Sequence, residues 1–240
     1  MSSPRTAPFP DVVVLAGGLG TRIRGVLGGT PKVLAPVHDR PFLALLLDLV
    51  QRSGGRRVIL AVGHQAGAVE RVMGSRYGGD LELLYSRESA PAGTGGAIAL
   101  AARLVRTADL IALNGDSIVL EDLGSVYAAH ERSGAEITIV TVPIEDKGRF
   151  GSVQIGAGDR IVGFVEKTGA GAGAINAGVY VLPTALAATF PVPSSLERDV
   201  LPKLLAHRMQ AYRSARWFID MGTPASYQRL LDEWPGKARD

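Results

Sequence analysis

Cysteine is absent from the 240 residues, so disulfides, zinc–thiolate centres and thiol nucleophiles are excluded. Charge of one sign is not in excess: 26 Lys and Arg stand against 23 Asp and Glu, too small a surplus to argue for nucleic acid as partner, although small phosphorylated substrates fit it. No apolar run reaches about 18 residues without a charge, and Met1 to Pro10 contains no apolar core of a secretory leader. A soluble, cytoplasmic protein without membrane contact is expected. Aromatic residues are sparse, yet an apolar content of 46% excludes a disordered chain and allows a sizeable core. The four histidines, His38, His64, His130 and His207, are scattered without metal-ligand spacing and are expected to be structural or exposed. A Ser-His-Asp constellation has no support.

What is present is an alternation. The apolar run Val12 to Ala16 empties into Gly17-Gly18, the pattern of a buried parallel strand ending in a loop. Strand-like runs recur at Arg57 to Val62, Leu81 to Tyr85 and Leu110 to Leu113, and helical patterns lie at Pro41 to Arg52, Ala66 to Gly74, Thr94 to Val105 and Glu121 to Ser133. Such βαβ units imply a mostly parallel sheet covered on both faces, with strand C-termini along one edge. The pattern then turns β-rich at Ala135 to Val142, Gly151 to Ile155, Ile161 to Glu166 and Ile175 to Leu182. Short Gly/Asp turns join these pieces and predict antiparallel strands added to the same sheet. Helices return at Pro183 to Thr189, Leu196 to His207 and Pro224 to Trp234. A flexible N-terminus over residues 1–10 and one α/β domain over 11–236 are expected, without a long polar linker or an internal repeat.

The most informative stretch is Leu15-Ala16-Gly17-Gly18-Leu19-Gly20-Thr21-Arg22, followed by Pro31-Lys32. Glycines directly after a first strand let backbone N–H groups approach phosphate oxygens, and nearby cations neutralise their charge. Neither well-known phosphate fingerprint is met: Gly18-Leu19-Gly20 lacks the third glycine of a dinucleotide fold, and Thr21-Arg22 replaces the Lys-Ser/Thr of a P-loop. Two carboxylates follow short apolar runs, Asp116 in Leu113-Asn114-Gly115-Asp116 and Asp220 in Phe218-Ile219-Asp220-Met221-Gly222-Thr223-Pro224. A hard divalent cation on phosphates needs only one or two protein carboxylates, because substrate oxygens and water complete its shell. Each Asp taken singly also reads as a turn or pre-helix residue.

The loop with Pro31-Lys32 resembles the signature of the sugar nucleotidyltransferases, with the departure that Gly25-Val26-Leu27 stands where many members carry Pro-Leu-Thr. The resemblance implies a glycosyltransferase-A-like (Rossmann-like) mixed sheet, a nucleoside triphosphate and a sugar 1-phosphate as substrates, Mg2+ as cofactor, and pyrophosphate as product. It places Leu15, Ala16, Gly17, Gly18, Gly20 and Thr21 around the triphosphate, Arg22 and Lys32 on its phosphates, and Asp116 and Asp220 on the metal, with Arg22, Lys32 and Asp116 catalytic. Glu88 to Gly96 resembles the family's second glycine-rich loop, where Gly93 and Gly95 allow close approach of the base. Glu88 is a candidate acceptor for guanine donors, and Thr94 reads also as a helix cap. Asn114, Gly151, Glu166, Lys167 and Asn176 are implied on the sugar-phosphate side.

Within the family, Gly93 to Gly96, Leu113 to Ser117, Ser195 to Val200 and Phe218 to Pro224 resemble the D-glycero-D-manno-heptose 1-phosphate guanylyltransferase branch. Another sugar or base, a non-catalytic nucleotide-sugar-binding regulator, and a nicotinamide-dependent oxidoreductase are the competing readings; the broken fingerprint disfavours the last. A homodimer stays open, since nothing in the sequence sets the oligomeric state.

Overall fold

The computed structural model describes residues 8–18, 20–145, 151–165 and 171–236. In chain order the first half contains β1 (Asp11–Leu15), α1 (Arg24–Leu27), β2 (Pro36–Val37), β3 (Arg40–Pro41), α2 (Phe42–Arg52), β4 (Arg57–Val62), α3 (Ala66–Met73), β5 (Arg76–Tyr77), β6 (Leu81–Arg87), α4 (Gly93–Ala102) and β7 (Asp109–Asn114). The second half contains β8 (Ser117–Val119), α5 (Leu123–Ser133), β9 (Ile137–Ile144), β10 (Ser152–Ile155), β11 (Ile161–Val165), β12 (Gly173–Pro183), α6 (Thr184–Ala187), β13 (Met209–Arg213), β14 (Phe218–Asp220) and α7 (Pro224–Glu233).

The main sheet runs β11-β10-β12-β7-β1-β4-β6-β5, and β9 and β13 extend it through β12. Its centre, β7-β1-β4-β6, is parallel. The β12 strand adds antiparallel to β7 and carries the β-rich half, as the change of pattern after residue 134 predicts. Alternation decides the two faces. Val12, Val14, Val58 and Leu60 join α2 and α5 in one core, whereas Val13, Ile59 and Ala61 point to the other face and pack against α4. That alternation is hidden in the sequence because both faces are covered, so every position is apolar.

Local chemistry sets the ends. Thr223 accepts from Ser226 N at 3.2 Å in a reciprocal capping box, with Pro224 at the first helical position, so α7 starts directly after the Asp220 loop. The helix expected over Leu196 to His207 is corrected: Leu196–Val200 winds as a π-turn and Leu201–Leu204 as a 3-10 turn. Pro202 has no N–H to donate to the preceding turn, and its ring crowds the carbonyl there, so an α-helix cannot run through. Among the described residues no helix is long and apolar enough to cross a membrane.

Candidate active site

The parallel strands β1, β4, β6 and β7 deliver their C-termini to one edge, where a cleft of about 720 Å³ opens. That volume lies within the ordinary range for a small-molecule site, about 300–1,000 Å³. Leu15, Gly17, Gly18, Lys32, Glu88, Gly93, Thr94, Asn114, Asp116 and Asp220 are among the residues that line it.

The glycine loop is built by close approach. A Cβ on Gly17 would stand 3.1 Å from both Glu88 Oε1 and Gly63 N, whereas the space over Gly18 is open. Gly20 takes a left-handed φ of +58°, a conformation that side chains resist. Its carbonyl then accepts Ile23 N at 3.1 Å to start the turn into α1. Gly20 and Thr21 lie beside the cleft in a smaller depression of about 140 Å³ that shares Gly18 and His64 with it. Ala16 is buried and donates its N–H to Ala61 O at 2.8 Å, which pins the loop's root to β4 rather than lining the cleft.

Two aspartates that are 104 positions apart (220 − 116) meet because β8 and β14 pair antiparallel, with Asp220 opposite Ser117. Met221 N donates to the Asp116 carbonyl at 2.9 Å and locks the two loops together. The Asp220 carboxyl is pushed up by burial and then by the Asp116 charge; the Gly222 amide, Lys32 and Arg22 oppose the shift. Gly222 N reaches Asp220 Oδ1 at 2.6 Å. Lys32, only 9% exposed, places Nζ 2.5 Å from Asp116 Oδ2. Arg22 is exposed, and its guanidinium reaches the Asp220–Gly222 turn, 3.5 Å from where a Gly222 Cβ would stand. A pair of carboxylates under mutual repulsion and opened to a cleft fits a divalent cation whose shell is completed by phosphate oxygens. Among the described residues no group of three or more His, Cys, Asp or Glu is arranged to hold a metal alone.

The far wall departs from expectation. Thr94 does not cap α4; Gly95 N and Gly96 N donate instead to the Ser194 carbonyl, at 2.9 and 3.3 Å. With the helix amides satisfied from outside, the Thr94 hydroxyl is free to accept Leu196 N at 2.7 Å and to donate to Glu197 Oε2 at 3.0 Å. Gly93 and Gly95 are bare on the side where Ser194 packs, since a Cβ would approach its O at 2.3 Å and its Oγ at 2.5 Å. Gly93 still borders the cleft, but Gly95 is buried and serves this packing. Asn176, expected to point at the sugar, is bonded inside the protein: Oδ1 accepts Gly178 N at 2.9 Å and Nδ2 donates to the Tyr180 hydroxyl at 2.7 Å. Asn114 faces the cleft, and its Oδ1 is buried without a partner among the described residues. Gly151 is exposed at the start of β10. Glu166 and Lys167 lie outside the described residues.

His64 and Glu197 also face the cleft, and sequence reasoning assigned neither to the site. The signal for His64 was its place one residue after Gly63, at a parallel strand's C-terminal edge, where loops gather. Glu197 lies in Ser195 to Val200, a stretch that carries the family resemblance, but nothing in that stretch assigned it a role.

Comparison with known proteins decides the family. The model of the family described as Nucleotidyl transferase matches residues 11–234. The chain belongs to this family. This nucleotidyl transferase is 34% identical over 226 residues to D-glycero-alpha-D-manno-heptose 1-phosphate guanylyltransferase of Aneurinibacillus thermoaerophilus, covering 93% of this chain and 97% of that one. It is 35% identical over 225 residues to mannose-1-phosphate guanylyltransferase of Mycobacterium tuberculosis, covering 91% of this chain but 63% of the relative. Among solved structures, HddC from Yersinia pseudotuberculosis superposes with a TM-score of 0.85 at 30% identity, over 94% of this chain and 99% of that one. The same protein complexed with GMP-PN gives 0.84. The fold expectation holds in its mixed sheet, parallel centre and antiparallel extension.

Proposed function

We propose that this nucleotidyl transferase moves GMP from GTP to D-glycero-D-manno-heptose 1-phosphate in the cytoplasm, giving GDP-heptose and pyrophosphate. The observation that carries the reading is the meeting of Asp116, Asp220 and Lys32 in one cleft beside the Gly17–Gly18 loop. The two guanylyltransferases named above and the complex with GMP-PN support the nucleotide.

The chemistry asks little of side-chain acids and bases. A sugar 1-phosphate brings its own anionic oxygen, so in-line attack on the α-phosphorus depends on alignment and charge neutralisation rather than on proton removal. Gly17 and Gly18 admit the phosphates close to the backbone, while Lys32 and Arg22 offset the charge that builds on the departing pyrophosphate. Asp116 and Asp220 are the residues that would hold Mg2+, which when bound would supply positive charge to the phosphate oxygens. Glu88 lies at the C-terminal end of β6, on the Gly17 side. One of its oxygens takes Ala92 N at 3.0 Å, and the other is placed to accept from the guanine N1 and N2 donors, which adenine lacks in that arrangement. Glu88→Gln is expected to lower kcat/KM for GTP about tenfold to a hundredfold and to narrow the preference for GTP over ATP; an unchanged preference would remove Glu88 from base selection. Lys167 is assigned to the sugar phosphate, so Lys167→Ala should raise KM for that substrate more than for GTP. Equal losses in both would place the lysine elsewhere.

Mannose 1-phosphate is the second reading, favoured by the mannose-1-phosphate guanylyltransferase relative. A regulator without turnover is disfavoured because Asp116, Asp220, Arg22 and Lys32 are all retained. A matrix of sugar 1-phosphates against the four nucleoside triphosphates and dTTP, read by pyrophosphate release, tests the proposal. The highest kcat/KM is expected for GTP with the heptose; preference for UTP or dTTP would reject it.

A further inference from the structure

The cleft has a second carboxylate that the reaction scheme leaves unused. Glu197 lies on its far side from Glu88: Glu88 follows β6, whereas Glu197 packs against Tyr180 of β12, beyond β7 in the sheet order. Three hydroxyls hold it. Thr94 donates to Oε2 at 3.0 Å, Ser195 to the same oxygen at 3.3 Å, and Tyr180 to Oε1 at 3.3 Å. Tyr180 is in turn fixed by Asn176 Nδ2 at 2.7 Å, and its burial pushes the phenol well above its ordinary value, so the hydroxyl stays a donor. No Lys or Arg pairs with Glu197 among the described residues. A half-buried carboxylate clamped in one orientation, with no cation paired to it among the described residues, keeps its open lone pairs turned to the cleft for a donor.

The donor count in this corner identifies what arrives. A carboxylate offers about four acceptor sites; Oε2 has two donors, but Oε1 has only Tyr180. Asn114 Oδ1, also in this corner, is buried without a partner. Acceptors therefore exceed donors, and the group that completes the corner must donate, as a hydroxyl does and a phosphate does not. The charge of Glu197 repels phosphate as well. A sugar 1-phosphate would accordingly turn its anionic end away from Glu197 and its ring toward it.

We infer that Glu197 selects the sugar by accepting a ring hydroxyl of the sugar 1-phosphate at Oε1, with Thr94 and Tyr180 as the positioning residues that hold the carboxylate. The inference rests on the proposed sugar-1-phosphate reading and adds to it a residue that reads the ring. Steady-state kinetics of the wild type and of Glu197→Gln should be measured with GTP and the sugar 1-phosphate that gives the highest kcat/KM in the matrix above, then with its 2-, 3- and 4-deoxy analogues. The substitution is expected to raise KM for that sugar 1-phosphate about tenfold or more while KM for GTP moves less than about twofold. One deoxy analogue should cost the wild type a similar factor and cost Glu197→Gln almost nothing further, because the lost hydroxyl and the lost charge belong to one contact. Equal rises in both KM values, or full additivity with all three analogues, would overturn the assignment. Should Glu197→Gln lower the melting temperature, the wild type alone decides: use of all three analogues as readily as of the parent sugar overturns the inference. Failure of the wild type on every sugar 1-phosphate would instead reject the functional reading itself.

Discussion

Asp220→Asn is expected to lower kcat by about a thousandfold or more while leaving the melting temperature unchanged or slightly raised. The two effects separate because the carboxylate's charge and its local hydrogen bond serve different ends. Asparagine keeps an oxygen for Gly222 N, which Asp220 holds at 2.6 Å, so the turn into α7 survives. What disappears is a negative charge that burial and Asp116 both oppose, and its removal relieves the folded state rather than weakening it. A divalent ion at the phosphates would lose one of its two protein anchors. Asp116→Ala should abolish turnover too, but it also strands Lys32, which is 9% exposed, and should melt earlier. Turnover by Asp220→Asn within tenfold of the wild type would contradict the ligand assignment, and thermal melts beside the kinetics separate loss of chemistry from loss of fold.

Lys32→Met should remove both activity and stability. The ammonium is the cation closest to the paired aspartates, 2.5 Å from Asp116 Oδ2, so its loss leaves two like charges side by side. Breaking a buried pair costs about 3–5 kcal/mol when the partner stays buried and charged. Asp116 is 35% exposed and can draw on water, which reduces the expected cost to about 1–3 kcal/mol. Loss of the charge that faces the leaving phosphates should lower kcat/KM by about a hundredfold to a thousandfold. Adding Asp116→Asn to Lys32→Met should restore most of the stability and none of the activity. A double variant as unstable as the single one would show that Lys32 is held by packing of its stem rather than by the pair.

Much of this site was legible because it lies at strand ends. A run such as Val12 to Leu15 followed by Gly17-Gly18 can be a parallel strand with a loop at its C-terminal edge and little else, and Asn114-Gly115-Asp116 repeats that arrangement one strand away. The close approach of the two loops has a physical trace in Gly115, where a Cβ would stand 2.1 Å from Leu15 O. The pairing of β8 with β14 was not legible. Each is three residues long, too short for alternation to register, and their partnership is set by tertiary packing. The order of Asp116 and Asp220 along the chain was visible through the family resemblance, but their approach was not visible in the residues alone.

The sugar side was read less well, for a different reason. A side chain's type does not say whether its bonds will be made to ligand or to protein. Asn176 and Thr94 have the chemistry of ligand contacts, yet Gly178 and Tyr180 take the first, and Leu196 and Glu197 the second. The segment that supplies Glu197 looked helical by composition; Pro202 breaks it, and the resulting π-turn at Leu196–Val200 turns the acid toward the cleft.

Crystals of the protein with Mn2+ and a non-hydrolysable GTP analogue give the most direct test, through the anomalous signal of the metal. A manganese peak is expected within coordination distance of both the Asp116 and Asp220 carboxylates, with the triphosphate against Gly17 and Gly18 and Lys32 beside it. A metal bound away from both aspartates, or a triphosphate lying outside this cleft, would contradict it.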